Sequence, residues 1–393
     1  MSKSLLKVAF FDGYHEAFYG SHQSLFTLVT HLDREKYDPV FVTTDEGIVA
    51  DRFRSAGVET KILKPRGVGS VFGKAVLEFS LIQKGRAAFD VMMHNLRVLR
   101  WLKKQDVRVV YVNDLRSMIF AGLSARLAGL PLLWYVRDDY RHGQFQALAL
   151  RLATRVFVIA DGVKRAFTAA EQRKYKEKFV TLFTGFDFSK YEYSQDQREA
   201  IRSELGIPLA ADVVGIVGSI TPRKGYEVLA EAAPAIAGDL PSVYFLAAGG
   251  SLDGGKEYVE HVRSLISSAG LQKRFVWCGY RKDVETVIAA MDVLVLPSRS
   301  EGLPRTVIEA LACGKSAVAT DVGGVREIIV SSVHGQVIDV DDSQALADAV
   351  RKILMANLRD PASAESRKAY VKRKFSLNAY VRNFERELDK LTA

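Results

Sequence analysis

The sequence predicts an α/β fold built from two Rossmann-like domains in series. Three observations carry this. Short β-branched or apolar runs alternate with longer amphipathic stretches along the chain. The alternation lapses over 186–197 (FDFSKYEYSQDQ), which has no clear period, and then restarts. The length of 393 residues fits two or three domains.

In order, the first half gives strands at 7–11, 40–44, 59–63, 107–112, 132–136, 156–159 and 180–183. Helical patterns such as 21–32, 117–127 and 144–153 lie between them. Strand followed by helix, repeated, means parallel βαβ units and a doubly wound sheet. The stretch 186–197 reads as an interdomain linker. The second half gives strands at 213–217, 243–247, 275–278, 293–296, 316–320 and 336–338. Helices start near 226, 257, 283 and 344, and one covers 306–312. The tail, 376–391, reads as an amphipathic helix. The domains are therefore 1–190, 198–375 and a C-terminal helix, 376–393, that packs back on the first domain. Open parallel sheets bind ligands beyond the carboxyl ends of their strands, so the expected site is a central cleft faced by both domains.

Composition narrows the classes. Hydrophobic residues at 48% and charged residues at 26% exclude a disordered or fibrous chain. Two cysteines, Cys278 and Cys313, make neither a disulfide framework nor a zinc site, and both read as buried free thiols. No apolar run approaches the roughly 18–20 residues of a membrane span. The N-terminal apolar stretch meets Asp12 at once, as a first strand does and a signal peptide does not. A cytoplasmic protein is expected. The net charge of +9 is uneven. Residues 1–200 carry 31 basic and 22 acidic side chains, 201–350 carry 13 and 19, and 351–393 carry 11 and 5, so different parts face different partners. Acids interleave with the bases, and no binding module is present, so nucleic acid is not expected as a partner.

The sharpest segment is 294–309, LVLPSRSEGLPRTVIE. A buried strand ends at Pro297, a polar loop follows, and a helix begins near Pro304 or Arg305. The start of that helix is a small anion site. Glu301 lies in the loop and Glu309 about one turn inside the helix, so the two carboxylates reach different parts of one ligand. A carboxylate accepts two hydrogen bonds and suits vicinal hydroxyls. Spacing alone equally allows a plain helix start with a surface glutamate. The second segment, VVGIVGSITPRKG, runs 213–225. It places Arg223 and Lys224 at the mouth of a helix, where cations oppose the dipole. A phosphorylated ligand supplies a reason for them; a solvated loop pair needs none. In the third, after the first strand, Gly20 and Ser21 sit where backbone often approaches phosphate, and His22 reads as a helix-start residue.

Three lures are declined. Gly314-Lys315-Ser316 ends like a phosphate loop, but position 309 is glutamate, and Gly314 reads as a helix cap. Asp339 and Asp341 precede a helix and read as loop and cap residues. The histidines show no metal-ligand spacing.

Together these segments resemble the retaining glycosyltransferases of the GT-B architecture, family four, the glycosyltransferase group 1 type. The resemblance rests on Glu301-Gly302-Leu303-Pro304 with Glu309, on the run from Glu309 to Gly314, and on Asp321-Val322-Gly323-Gly324-Val325-Arg326-Glu327. Val217-Gly218, Lys224-Gly225 and Cys278-Gly279-Tyr280 add to it. It is dense over 213–340 and general over 1–200. It implies a nucleotide-sugar donor held by the C-terminal domain and a glycan or glycolipid acceptor held by the N-terminal one. Glu309 would bind ribose hydroxyls. Lys224 and Arg223 would neutralise the leaving diphosphate. Glu301 with the backbone of Gly302, Leu303 and Pro304 would hold the sugar, and the amides of Thr306 and Val307 the phosphates. Gly20, Ser21, Gly218 and Ser219 complete the donor contacts, and Tyr280 and Arg281 lie where the family's loop meets the base. Retention implies same-face attack by the acceptor, without a metal or other cofactor.

Two positions depart from the family. Ser219 stands where many relatives have arginine, and Arg137-Asp138 stands where many have histidine, which makes Arg137 and Asp138 the acceptor-side candidates. These departures motivate an alternative, an inactive nucleotide-sugar-binding partner subunit; a same-fold nucleotide-sugar epimerase ranks lower. Finally, residues 64–108 hold ten basic side chains, among them Lys84, Arg86, Arg100, Lys103 and Lys104, against three acidic ones. Val71, Phe72, Leu77, Phe79, Leu81, Ile82 and Phe89 are interleaved. That pattern predicts a headgroup-level contact with an anionic membrane surface, peripheral on its inner face. A solvated basic face over core-facing apolar residues is the other reading.

Overall fold

Among the described residues every predicted strand is present, and all strand pairs are parallel. The computed structural model describes residues 5–14, 17–67, 80–141, 143–250, 255–356 and 360–392. It divides into two units: 1–159 with 164–185 and 377–393, and 160–163 with 186–376.

The first unit is a seven-stranded sheet in the order β3-β2-β1-β4-β5-β6-β7. Its strands are β1 (Leu6–Asp12), β2 (Tyr37–Thr43), β3 (Glu59–Ile62), β4 (Val109–Val112), β5 (Leu132–Val136), β6 (Arg155–Val158) and β7 (Phe179–Thr181). The central strands are buried on both faces, as a sheet covered by helices on each side requires. Helices α1 (Gly20–Thr30), α2 (Ile48–Ser55) and α3 (Leu81–Lys104) follow β1, β2 and β3. The amphipathic tail is the helix Leu377–Thr392, and it folds with this unit. Its Phe384 is fully buried among Phe10, Tyr111 and Phe157, with ring centroids 6.0, 5.8 and 5.6 Å away.

The second unit is a six-stranded sheet in the order β10-β9-β8-β11-β12-β13. Its strands are β8 (Val213–Val217), β9 (Tyr244–Ala248), β10 (Phe275–Gly279), β11 (Val293–Leu296), β12 (Ser316–Thr320) and β13 (Gly335–Ile338). In each sheet the strand order reverses beside the first strand, between β1 and β4 and between β8 and β11. Such switch points open a crevice at the carboxyl ends of the strands.

The aperiodic stretch 186–197 is not a free linker. It belongs to the second unit, makes a short 3-10 turn at Ser189–Tyr191, and enters the helix Gln195–Glu204. Its aromatic residues, not a helical period, hold it: Phe186, Phe188 and Tyr191 are buried in a chain of ring contacts. Cys313 is buried, but Cys278 is only half-buried, because β10 is an edge strand. Both thiols are free. Gly314 caps its helix as expected: its N–H donates to Leu311 O (2.9 Å) and the Lys315 N–H to Ala310 O (2.8 Å). No described helix is long and apolar enough to cross a membrane.

Candidate active site

Two loops converge at the switch point of the second sheet. After β8 the chain makes the 3-10 turn Pro222–Lys224 and starts the helix Tyr226–Asp239 from Gly225. Gly225 has φ 67°, and a Cβ there would strike the Pro297 carbonyl at the end of β11. Only glycine meets both demands, and the close approach brings the turn against the loop after β11. The Arg299 N–H donates to Arg223 O at 2.8 Å, and the Arg223 guanidinium to Ser300 O at 2.8 Å. Lys224 Nζ then sits 2.6 Å from Glu301 Oε1, and Arg223 Nη1 3.6 Å from Glu301 Oε2.

The Glu301 loop is fixed from its other side. The Gly324 N–H donates to Gly302 O at 2.7 Å. Gly323, at φ 49°, packs so closely that a Cβ would collide with the carbonyls of Glu301 and Gly302. Leu303 is buried, and Pro304 caps the helix Arg305–Ala312 without offering an N–H. The donors at this helix start are therefore the amides that follow, Thr306 and Val307 among them.

Glu309, one turn in, is 8% exposed. Its Oε1 accepts from the Tyr191 hydroxyl at 3.1 Å and lies 3.6 Å from Arg305 Nη2. Burial holds its carboxyl above the usual carboxylate range, and Arg305 and Tyr191 only partly offset that. Tyr191 was invisible in the sequence, since nothing in an aperiodic segment marks one tyrosine as a glutamate's partner.

The structure thus brings Arg223, Lys224 and Glu301 together, with Gly302, Leu303, Pro304, Thr306, Val307 and Glu309 on the adjoining loop and helix. Gly218 and Ser219 lie on the loop leaving β8, and the Gly218 carbonyl accepts from the Tyr226 hydroxyl at 2.6 Å. Tyr280 is 75% exposed just after β10. Arg281 is engaged by Asp283 (2.7 Å) and Glu204 (2.6 Å).

The remaining candidates lie in the first unit. Gly20 and Ser21 open α1, and His22 is its third residue, accepting the Tyr19 N–H at 2.9 Å as a helix-start residue does. Its Nε2 also lies 3.4 Å from Asp12 Oδ1. Arg137 donates to Asn113 Oδ1 (2.8 Å) and Ser24 Oγ (3.2 Å), and lies 3.9 Å from the Tyr135 ring centroid. Asn113 in turn donates to Asp12 Oδ2 at 2.7 Å. Asp138 accepts from the Tyr140 N–H at 3.2 Å. Burial, and then the Asp12 charge, push the neighbouring Asp114 carboxyl up to about 7. Sequence reasoning missed Asp12, Asn113 and Asp114 as a cluster. The available signal was that β1 ends in Asp12 and β4 is followed at once by Asn113 and Asp114, beside the switch point.

Two parallel-sheet α/β units with this strand order define the GT-B fold, and solved structures of that fold match over nearly the whole chain. Anabaena HepE, solved with UDP, superposes with a TM-score of 0.79 at 20% identity, covering 98% of this chain and 100% of that one. Residues 197–374 match the family model described as glycosyl transferases group 1. The sequence relatives are of the same group. D-inositol 3-phosphate glycosyltransferase of Corynebacterium urealyticum is 30% identical over 49% of this chain and 46% of its own length. The UDP-Gal:alpha-D-GlcNAc-diphosphoundecaprenol alpha-1,3-galactosyltransferase of Escherichia coli is 24% identical over 66% of this chain and 69% of its own. The chain thus spans about half of the first relative's length and about two thirds of the second's. The resemblance read from 213–340 and the fold class read from the alternation are both borne out.

Proposed function

We propose that the protein is a retaining hexosyltransferase that moves a sugar from a nucleotide-sugar donor to a glycolipid or polysaccharide acceptor. The observation that carries this is the Lys224–Glu301 contact of 2.6 Å, with Arg223 beside it, at the mouth of the Arg305–Ala312 helix. Two cations held on Glu301, four residues before the start of that helix, are suited to stabilise a diphosphate as its bond to the sugar breaks. In the free protein Glu301 keeps the cations in place; with donor bound, the diphosphate becomes their second anion and Glu301 turns to the sugar hydroxyls. Glu309 takes two ribose hydroxyls, which supply donors to a carboxylate that burial leaves under-solvated.

The acceptor oxygen attacks on the face the phosphate leaves. The carbon–oxygen bond to the phosphate breaks, the bond to the acceptor forms, and a phosphate oxygen takes the acceptor's proton. Lys224 and Arg223 carry the charge a metal would otherwise carry, so the reaction is metal-independent. The first unit holds the acceptor, with Arg137 and Asp138 at the switch-point end of β5. The names of the Escherichia coli relative and of the mannosyltransferase of lipopolysaccharide core synthesis in Rhizobium meliloti support a lipid-linked or polysaccharide acceptor. The protein works in the cytoplasm against the inner face of the membrane.

The test is a thermal-shift series with nucleoside diphosphates and their sugars. One of them raises the melting temperature, since ligand at about 100 times Kd adds about 2.7 kcal/mol. No shift with any nucleotide would remove the donor reading.

A further inference from the structure

We infer that the first half of α3 is a membrane-surface helix that lies at the headgroup level of an anionic bilayer. It deepens the glycolipid-directed reading above but uses none of the donor site, so the two fail separately.

The helix begins with a complete capping box. Ser80 Oγ accepts the Gln83 N–H at 3.3 Å, and Gln83 Oε1 accepts the Ser80 N–H at 2.8 Å. A capped start fixes the first turns as helix, yet the core does not use them. The buried residues of α3 are His94, Asn95, Val98 and Leu102. Asn95 locks this part to the neighbouring helical stretch, donating to Ile119 O at 3.0 Å and accepting from Ser124 Oγ at 2.8 Å. More than three turns precede the first buried residue.

Large apolar side chains stand in solvent along one face of those turns. Leu81 is 87% exposed, Ile82 85% and Phe89 56%, and Met92 and Met93 are exposed as well. At ~100° per residue these five, with Gly85 and Ala88, fall within an arc of about 140°. The buried quartet lies outside that arc, on the side toward the core. Soluble surfaces seldom leave so many large apolar side chains together without an occupant.

Charge identifies the occupant. Along the same outward face, toward the C-terminal end, stand Arg100, Lys103 and Lys104, all exposed, and Arg86 borders the arc. Lys84 is exposed but falls at the angle of Leu102, outside the arc. Asp90, the one acid of α3, projects away from the arc. Aromatic and thioether anchors edged by long cations, with no acid among them, fit an interface where apolar groups reach the acyl boundary and ammonium groups meet lipid phosphate. A second copy of the chain would place these cations against each other. Val71, Phe72, Lys74, Leu77, Glu78 and Phe79 lie outside the described residues and carry none of this.

The experiment is co-sedimentation of the full chain with vesicles of phosphatidylcholine alone or mixed with phosphatidylglycerol, at low and high salt. Binding only to the anionic vesicles, weakened by salt, is expected. Phe89→Glu with Met92→Glu, and separately Lys103→Glu with Lys104→Glu, should each weaken it at least about tenfold. Leu209→Glu, at an exposed leucine of the second unit, should not. A Phe89→Trp variant should shift its emission to the blue on the anionic vesicles, because the side chain leaves water. No binding, equal binding to neutral vesicles, or binding indifferent to the stripe variants overturns the inference. So does sedimentation showing that the stripe variants abolish only self-association. Each variant is also melted with and without nucleoside diphosphate. Loss of vesicle binding with that shift intact separates this surface from the donor site.

Discussion

Glu309 carries a charge that its surroundings oppose. Its carboxylate is buried, and burial raises its pKa with only Tyr191 and Arg305 to oppose it. The sign follows: a carboxyl whose folded pKa lies above its unfolded value weakens the fold as pH rises past the unfolded value. Glu309→Gln should therefore match or exceed the wild type in melting temperature at neutral pH, and the difference should vanish in acid. Donor affinity should fall by about 1.5–3 kcal/mol for each hydrogen bond to a ribose hydroxyl that the substitution removes; unchanged affinity would take Glu309 out of the site. Lys224→Ala should cut turnover by roughly 100-fold, as loss of one preorganised donor does, and lose more in rate than in stability, because Arg223 stays beside Glu301. A fully active variant would contradict the role given to the lysine. Lys315 makes the opposite case, a buried cation off the site. Its Nζ stands 4.8 Å from the Tyr193 ring centroid, and burial pushes its pKa down to about 7. The unfolded chain then binds the extra proton between about pH 7 and the unperturbed lysine value near 10.5, so stability should rise with pH across that window. Lys315→Met should remove that rise and be more stable than wild type at neutral pH; parallel curves in a pH series of denaturant melts would refute it.

At the scale of elements, the strands were legible and several helices were not. Each parallel strand is a short apolar run buried on both faces, and such a run identifies itself. The helix Gln195–Glu204 did not, because it is mostly polar and packs through two arginines. Arg202 is 1% exposed and donates to Asp292 Oδ2 (2.9 Å) and to the carbonyls of Ala290, Leu209 and Ala211. Arg198 donates to Asp292 Oδ1 at 2.7 Å, and the Val213 N–H to Oδ2 at 2.9 Å. Asp292 thus ties this helix to β8 at the foot of β11. The Glu301–Glu309 segment was readable for the reverse reason: its residues act within one loop and one helix turn, so spacing preserves their geometry. The Asp12–Asn113–Arg137 cluster is assembled from three strand ends far apart in the chain, which no local spacing encodes. Asp292→Asn leaves two guanidinium groups short of their anion and should cost about 3–5 kcal/mol. Urea unfolding of the full chain checks it, and a loss under about 1 kcal/mol would show the network to be solvated in practice.

Across the whole molecule, the chain does not finish where its second sheet does. It passes out of the first unit at 160–163, returns, leaves again at 186, and comes back at 377 for its last helix. That helix is part of the first unit's core rather than an appendage. Tyr380, Phe384 and Leu388 are buried, and Phe384 fills the space among three aromatic rings of β1, β4 and β6. Polar ties add to the packing: the Asp33 N–H donates to Glu385 Oε1 at 2.9 Å, and the Tyr37 hydroxyl to Asp389 Oδ1 at 2.7 Å. Truncating one such Phe to alanine costs about 3–5 kcal/mol. Deleting 377–393 removes three such anchors at once, which is comparable to the whole of the roughly 5–15 kcal/mol of a typical domain. The second unit loses no core residue in the same cut. Deletion should therefore unfold the first unit alone: hydrogen exchange should become fast in β1, β4 and β6 while β8, β11 and the Arg305–Ala312 helix stay protected. The second unit should still melt at a temperature that nucleoside diphosphate raises. Phe384→Ala should give a milder form of the same split, with the first unit melting earlier and the second unchanged. If the deletion instead lowers protection equally in both sheets, the units do not fold independently, and the last helix stabilises the molecule as one cooperative body.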